Sequence, residues 1–169
     1  MSKDSKIKNY FELGLLTLGG SGLIPFAPGT WGSILAFIMV AFIYPPYFLW
    51  VLFGLIMVFM PLSVFVIKNH LETAKLPIKD PQYIVVDEAI GLWIALLASH
   101  GRWPWMLSAL ILFRVLDIYK PGLIGTIDSL KGMTPLMRAW LVMADDILAG
   151  IITAGILTLG WTLKIIFSY

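Results

Sequence analysis

Two side-by-side carboxylates, Asp145 and Asp146, stand directly ahead of the apolar run Ile147–Phe167. A second pair, Asp87 and Glu88, lies near the start of the apolar stretch Tyr83–Ser99. Charge that close to hydrocarbon is expensive and is usually retained for function. Between the pairs, Phe113–Pro121 reads FRVLDIYKP and is followed by Asp128. The segment from Phe113 to Gly150 holds a large share of the chain's charge, with long apolar runs on both sides. This pattern predicts that the charged segments converge on one acidic, metal-binding site at the edge of a membrane.

Composition agrees with a membrane setting. Of 169 residues, 59% are hydrophobic and 13% charged, and the mean hydropathy is +0.89. Soluble domains are typically about half apolar and about a quarter charged. The length suits one domain, 1–169, with 1–10 as a polar N-terminal tail. A net charge of +2 is too small to argue for nucleic acid. No cysteine is present, which removes disulfides, thiolate ligands and thiolate nucleophiles. No cleaved signal peptide is expected, because the apolar stretch after the tail is broken by glycines and lacks a clear cleavage site. Oligomeric state is not legible.

Along the chain, residues 11–33 are apolar but punctuated by Gly and Pro, which predicts a broken, interfacial or re-entrant element. Ile34–Ile43 is apolar, and Pro45-Pro46 reads as a turn. Tyr47–Ile67 and Ile147–Phe167 each have roughly the twenty apolar residues that a bilayer core requires. Lys68–Pro81 and Pro121–Arg138 read as polar loops, and Met106–Leu116 as a short apolar segment. Basic residues set the orientation. Lys3, Lys6 and Lys8 precede the first apolar run, and Lys68, Lys75 and Lys79 fill the middle loop. Arg114, Lys120, Lys131 and Arg138 fill the late loop. Alternation gives an all-α, multi-pass protein with about five membrane-embedded helices and a cytoplasmic N-terminus. The acidic residues then face the cytoplasm, together with the segment APGTWGS (27–33).

Adjacent carboxylates repel, and in a low-dielectric site a divalent ion is the ordinary remedy. Carboxylates without His or Cys partners favour hard ions, Mg²⁺ first, and Mg²⁺ commonly shares its ligands with substrate phosphate. Arg114 and Asp117 are three apart, on one helix face, with Lys120 about one turn on. Arg can grip phosphate bidentately, and Lys offers a point charge. Gly29 and Thr30, ahead of a helix, could add backbone N–H groups. A weak echo links DEAIG (87–91) with DDILAG (145–150): each acidic pair is followed about a turn later by glycine, which permits close approach. Plainer readings stand beside these. Either acidic pair alone could cap a helix N-terminus. Arg114 and Lys120 could be surface anchors, Asp128 could close a turn, and His70 and His100 could be solvated loop residues.

The ordered set APGTWGS (27–33), VVDEAIG (85–91), FRVLDIYKP (113–121), Asp128 and MADDILAG (143–150) resembles the bacterial phosphatidylglycerophosphatase A family from about residue 19 to 160. Leu123 departs from a family proline, and Arg138-Ala139-Trp140-Leu141 from a glycine-rich run ahead of the paired aspartates. The resemblance implies a Mg²⁺-dependent phosphatase of the bacterial cytoplasmic (inner) membrane. Its substrate would be phosphatidylglycerophosphate, with phosphatidylglycerol and phosphate as products and membrane lipids as surroundings. It assigns Asp87, Glu88, Arg114, Asp117, Lys120, Asp128, Asp145 and Asp146 to motif positions. On this reading Asp87, Glu88, Asp145 and Asp146 hold the ion, Asp117 or Asp128 contributes, and Arg114 and Lys120 neutralise the phosphate. The alternatives are a phosphatase of another lipid, such as a prenyl (pyro)phosphate, or a non-catalytic transporter or assembly subunit. A soluble helical protein is the remaining architecture.

Overall fold

The structure is a computed structural model that describes residues 3–74, 81–130 and 134–167, with side chains from residues 10–72, 81–130 and 134–167. Every regular element among them is helical: α1 (Lys3–Leu16), α2 (Pro28–Ala41), α3 (Pro45–Ala74), α4 (Val86–Leu96), α5 (Trp103–Tyr119), α6 (Leu123–Asp128) and α7 (Pro135–Ile166). Short 3-10 turns lie at Ser21–Leu23 and Leu97–Ser99. The expected N-terminal tail is helical from Lys3. Lys75, Lys79, Lys131 and the side chains of Lys3, Lys6 and Lys8 lie outside what is described.

A short helix, α4, is the centre. α4 buries Val86, Ala89, Ile90, Leu92, Trp93, Ala95 and Leu96 and packs against α2, α3, α5 and α7. Its indole Trp93 is fully buried. Trp93 Nε1 donates to the Ala36 carbonyl at 3.1 Å, and its ring meets Phe59 edge-on at 5.3 Å. That hydrogen bond satisfies the one polar atom of an otherwise apolar residue.

α3 and α7 are the only helices among the described residues long and apolar enough to cross a membrane unaided. Only 33% of the most apolar stretch of α3 and 44% of that of α7 are buried by the rest of the chain. The outward residues are apolar as well: Trp50, Phe53, Val58 and Phe65 on α3, Ile151 and Leu159 on α7. A soluble helix would turn a polar face outward, so these faces suit lipid rather than water. α2, α4 and α5 have 14, 11 and 17 residues, about 16 to 26 Å at 1.5 Å per residue. Two of the roughly five expected passes therefore have spanning length.

Boundaries differ from expectation in two places. Pro45 and Pro46 open α3 instead of forming a turn. Proline is tolerated in a first turn because no N–H partner is needed there. Pro61 sits inside α3, which runs on past it. The late polar segment is not all loop: it contains α6 and the start of α7. Thr134 caps α7, its Oγ1 accepting from the Met137 N–H at 3.2 Å, with proline next to it. α7 thus begins twelve residues before Ile147, and Asp145 and Asp146 sit in its interior. Helix capping cannot account for that pair.

Candidate active site

Each acidic pair is placed by a helix crossing. A side chain on Gly91 would lie 2.6 Å from the Asp146 carbonyl oxygen and 2.8 Å from Phe113 Cε2. A side chain on Gly150 would overlap the Gly91 carbonyl oxygen. The two glycines of the sequence echo therefore touch one another. α4 and α7 approach backbone to backbone there, and the acidic pair one turn before each glycine is brought face to face.

The result is one cavity of about 860 Å³. It is lined by Asp87 and Glu88 from α4, Arg114 and Asp117 from α5, Asp145 and Asp146 from α7, and Gly29 and Thr30 from α2. Lys120 and Asp128 also line it. Every candidate site residue named from the sequence lines this one space. Asp87, Asp117, Asp145 and Asp146 are buried. Asp87 Oδ1 accepts from the Glu88 N–H at 3.0 Å, so the helix-cap reading holds in part for the first pair.

Arg114 is held from two sides. Its Nη1 donates to Asp117 Oδ2 at 2.5 Å and to Ser33 Oγ at 3.3 Å, and its Nη2 to Thr30 Oγ1 at 3.4 Å. Ser33 Oγ donates in turn to the Gly29 carbonyl at 2.9 Å. A side chain on Gly29 would fall on Glu88 Oε1 and lie 3.4 Å from Arg114 Nη1. Ser33 was not among the residues singled out. Its signal was its spacing, three and four residues beyond Thr30 and Gly29, on the same helix face.

Lys120 terminates α5 in the left-handed region, at φ 43°. Its Nζ donates to Asp145 Oδ2 at 2.5 Å and to Asp128 Oδ1 at 2.6 Å. Burial alone would lower the Lys120 pKa, but the two carboxylates outweigh it and hold the ammonium above its ordinary value. Asp128 is half exposed and lines the cavity beside Lys120, its ion-pair partner. His70 is not a loop residue: it lies on α3, with Nε2 2.6 Å from the Tyr83 hydroxyl.

Two groups of carboxylates could hold a metal ion: Asp87, Glu88 and Asp146, and Asp117, Asp145 and Asp146. Within each, one ligand atom per residue lies within 4.8 Å of the others. Asp146 belongs to both. Glu88 Oε2 and Asp146 Oδ1 are buried without a hydrogen-bond partner. A buried carboxylate oxygen without a donor is costly, and a cation is its natural complement. Six carboxylates and two cations line the cavity, an excess of negative charge that hard divalent ions offset well.

A profile of the Phosphatidylglycerophosphatase A family matches residues 14–161. The chain belongs to this family. It is 38% identical over 156 residues to Phosphatidylglycerophosphatase A of Escherichia coli, covering 90% of this chain and 86% of that protein. It is 37% identical over 155 residues to the Haemophilus influenzae protein of the same name, covering 86% of each. A Bacteroides thetaiotaomicron protein, provisionally named a phosphatidylinositol-3-phosphatase, is 39% identical over 139 residues, covering 78% of this chain and 82% of its own. No solved structure matches significantly. The resemblance carried by the four motifs is thereby confirmed, and the chain is a phosphatase. The non-catalytic transporter and assembly-subunit alternatives fall with it.

Proposed function

We propose that this protein, folded as one domain, hydrolyses the terminal phosphomonoester of phosphatidylglycerophosphate to phosphatidylglycerol and inorganic phosphate, as a step in phospholipid synthesis. The observation that carries the reading is the two clusters of carboxylates that share Asp146, beside Arg114 in one cavity. The names of the Escherichia coli and Haemophilus influenzae relatives supply the substrate.

Asp87, Glu88, Asp117, Asp145 and Asp146 would hold Mg²⁺, with Asp146 available to both groups. When bound, the ion supplies Lewis-acid polarisation of the phosphoryl group and lowers the pKa of water beside it. The chain's own residues do the rest. Arg114, oriented by Asp117, Thr30 and Ser33, presents a fixed planar fork to the phosphate. Lys120 adds a point charge on the Asp145 side, and Gly29 leaves room beside Glu88 and Arg114. Burial of Asp87, Asp117, Asp145 and Asp146 lowers the local dielectric, which strengthens each charge interaction. In the net reaction an oxygen from water ends on phosphorus, the phosphorus–glycerol oxygen bond breaks, and a proton ends on the glycerol oxygen.

α3 and α7 cross the membrane in this reading, with α2, α4 and α5 embedded beside them. The basic loops support a site that opens toward the cytoplasmic side of the inner membrane. The test is phosphate release from short-chain phosphatidylglycerophosphate in detergent. Chelator-sensitive release restored by Mg²⁺ is expected. Release indifferent to chelator would overturn the metal assignment, and no release from folded protein would overturn the substrate. A second reading, a phosphoinositide substrate, is favoured by the Bacteroides thetaiotaomicron relative. Phosphatidylinositol 3-phosphate and a prenyl phosphate belong in the same panel.

A further inference from the structure

The end of the bundle opposite the site is marked by aromatic rings. Trp103 meets Phe37 and Phe42 edge-on at 6.0 and 5.9 Å. Trp105 meets Trp161 at 5.2 Å, with the Arg102 guanidinium 4.2 Å over the Trp161 ring. Such a belt sits at a membrane–water boundary. It provides a ruler. From Trp161 to Asp146 along α7 is fifteen residues, about 22 Å at the helical rise. From Trp103 to Asp117 along α5 is fourteen, about 21 Å. The hydrocarbon core is about 30 Å thick. The carboxylates therefore lie roughly 8 Å short of the second boundary, inside the leaflet.

α7 continues past them. Trp140 lies twenty-one residues from Trp161, about 31 Å along the axis, and Met137 about 36 Å. Those heights fall at the hydrocarbon edge and in the headgroup zone of that face. Both residues are exposed, as are Ile118 and Leu130. Ile118, Leu130 and Leu141 line the cavity itself. Met137 is one turn from Leu141 on the same stripe of α7. An apolar rim thus runs from the cavity wall out to the surface at the depth where acyl chains meet headgroups. Exposed apolar residues contiguous with a charged cavity mark a ligand or membrane contact, not ordinary surface.

We infer that this rim is immersed in the leaflet and receives the acyl chains of the lipid whose phosphate enters the cavity, so that substrate arrives sideways from the bilayer. The inference rests on the lipid-phosphate reading above and adds the route and the residues that select for a lipid anchor.

The chain has no cysteine, so a single introduced thiol can be labelled cleanly. Wild type is first assayed with dioleoyl phosphatidylglycerophosphate in vesicles and with its soluble dibutyryl analogue; failure on both would overturn the substrate reading alone. A fluorophore on Trp140→Cys in vesicles with brominated acyl chains then tests immersion directly. Strong quenching is expected, with little for the same label on Glu72→Cys. Trp140→Glu, at the hydrocarbon edge, is expected to raise KM for the dioleoyl substrate about tenfold or more, the scale of one lost apolar contact. kcat/KM for the dibutyryl analogue should stay within about twofold of wild type. An unquenched Trp140→Cys label overturns the inference, as does an equal loss on both substrates.

Discussion

Gly91→Ala adds one methyl group where α4 and α7 cross. Its Cβ would stand 2.6 Å from the Asp146 carbonyl oxygen, whereas ordinary contact begins at 3.4 Å. The obstructing atom is backbone, so no rotamer change relieves it. α7 must retreat by about 0.8 Å, the difference between those two distances, carrying Asp146 with it. Metal–ligand distances tolerate about 0.2 Å, so the displacement is about fourfold too large for an unchanged site. A misplacement of roughly 1 Å can lower turnover about a hundredfold. Stability changes less: overpacking costs about 1–3 kcal/mol, and alanine in a helix returns about 1 kcal/mol over glycine. Phosphate release titrated with Mg²⁺ is the assay, with folding checked in detergent. The half-saturating Mg²⁺ concentration should rise about tenfold or more and maximal turnover fall. Gly155→Ala is the control, because nothing lies within 4 Å of its Cβ position; it should leave activity unchanged. A Gly91→Ala enzyme whose Mg²⁺ titration superposes on wild type would refute the argument that this crossing sets the site.

Asp146→Asn should lower turnover about a thousandfold or more, the value of several kcal/mol of metal-supplied stabilisation, while the protein still inserts. Asp117→Asn should do the same while also releasing Arg114, and near-normal phosphate release in both variants would remove the proposed site. Arg114→Lys keeps the charge but loses the contacts to Thr30 and Ser33. Its kcat/KM should fall about tenfold to a hundredfold, because each hydrogen bond to a charged group is worth about 1.5–3 kcal/mol. Trp93→Ala should destabilise the bundle by about 3–5 kcal/mol, read by denaturation in detergent.

The convergence of Asp87, Glu88, Arg114, Asp117, Lys120, Asp145 and Asp146 was legible in the sequence because charge inside an apolar chain has few tolerable explanations. The start of α7 was not. Arg138, Asp145 and Asp146 interrupt the apolar signal, so hydropathy placed a boundary at Ile147 although the backbone is helical from Pro135. The local signal was there in Thr134-Pro135, a capping residue followed by the residue favoured at the first helical position. Hydropathy looks for the length that lipid demands, whereas capping chemistry marks where the backbone turns. The two disagree here because the site is cut into the interior of a helix of spanning length instead of sitting at its end. That placement also explains the glycine echo. An acidic residue in a helix interior meets a partner only if the neighbouring helix comes close, and a turn further on Gly91 and Gly150 remove the side chains that would keep α4 and α7 apart. Spacing alone suggested that the two motifs were alike; only their contact shows that each glycine is the other's reason.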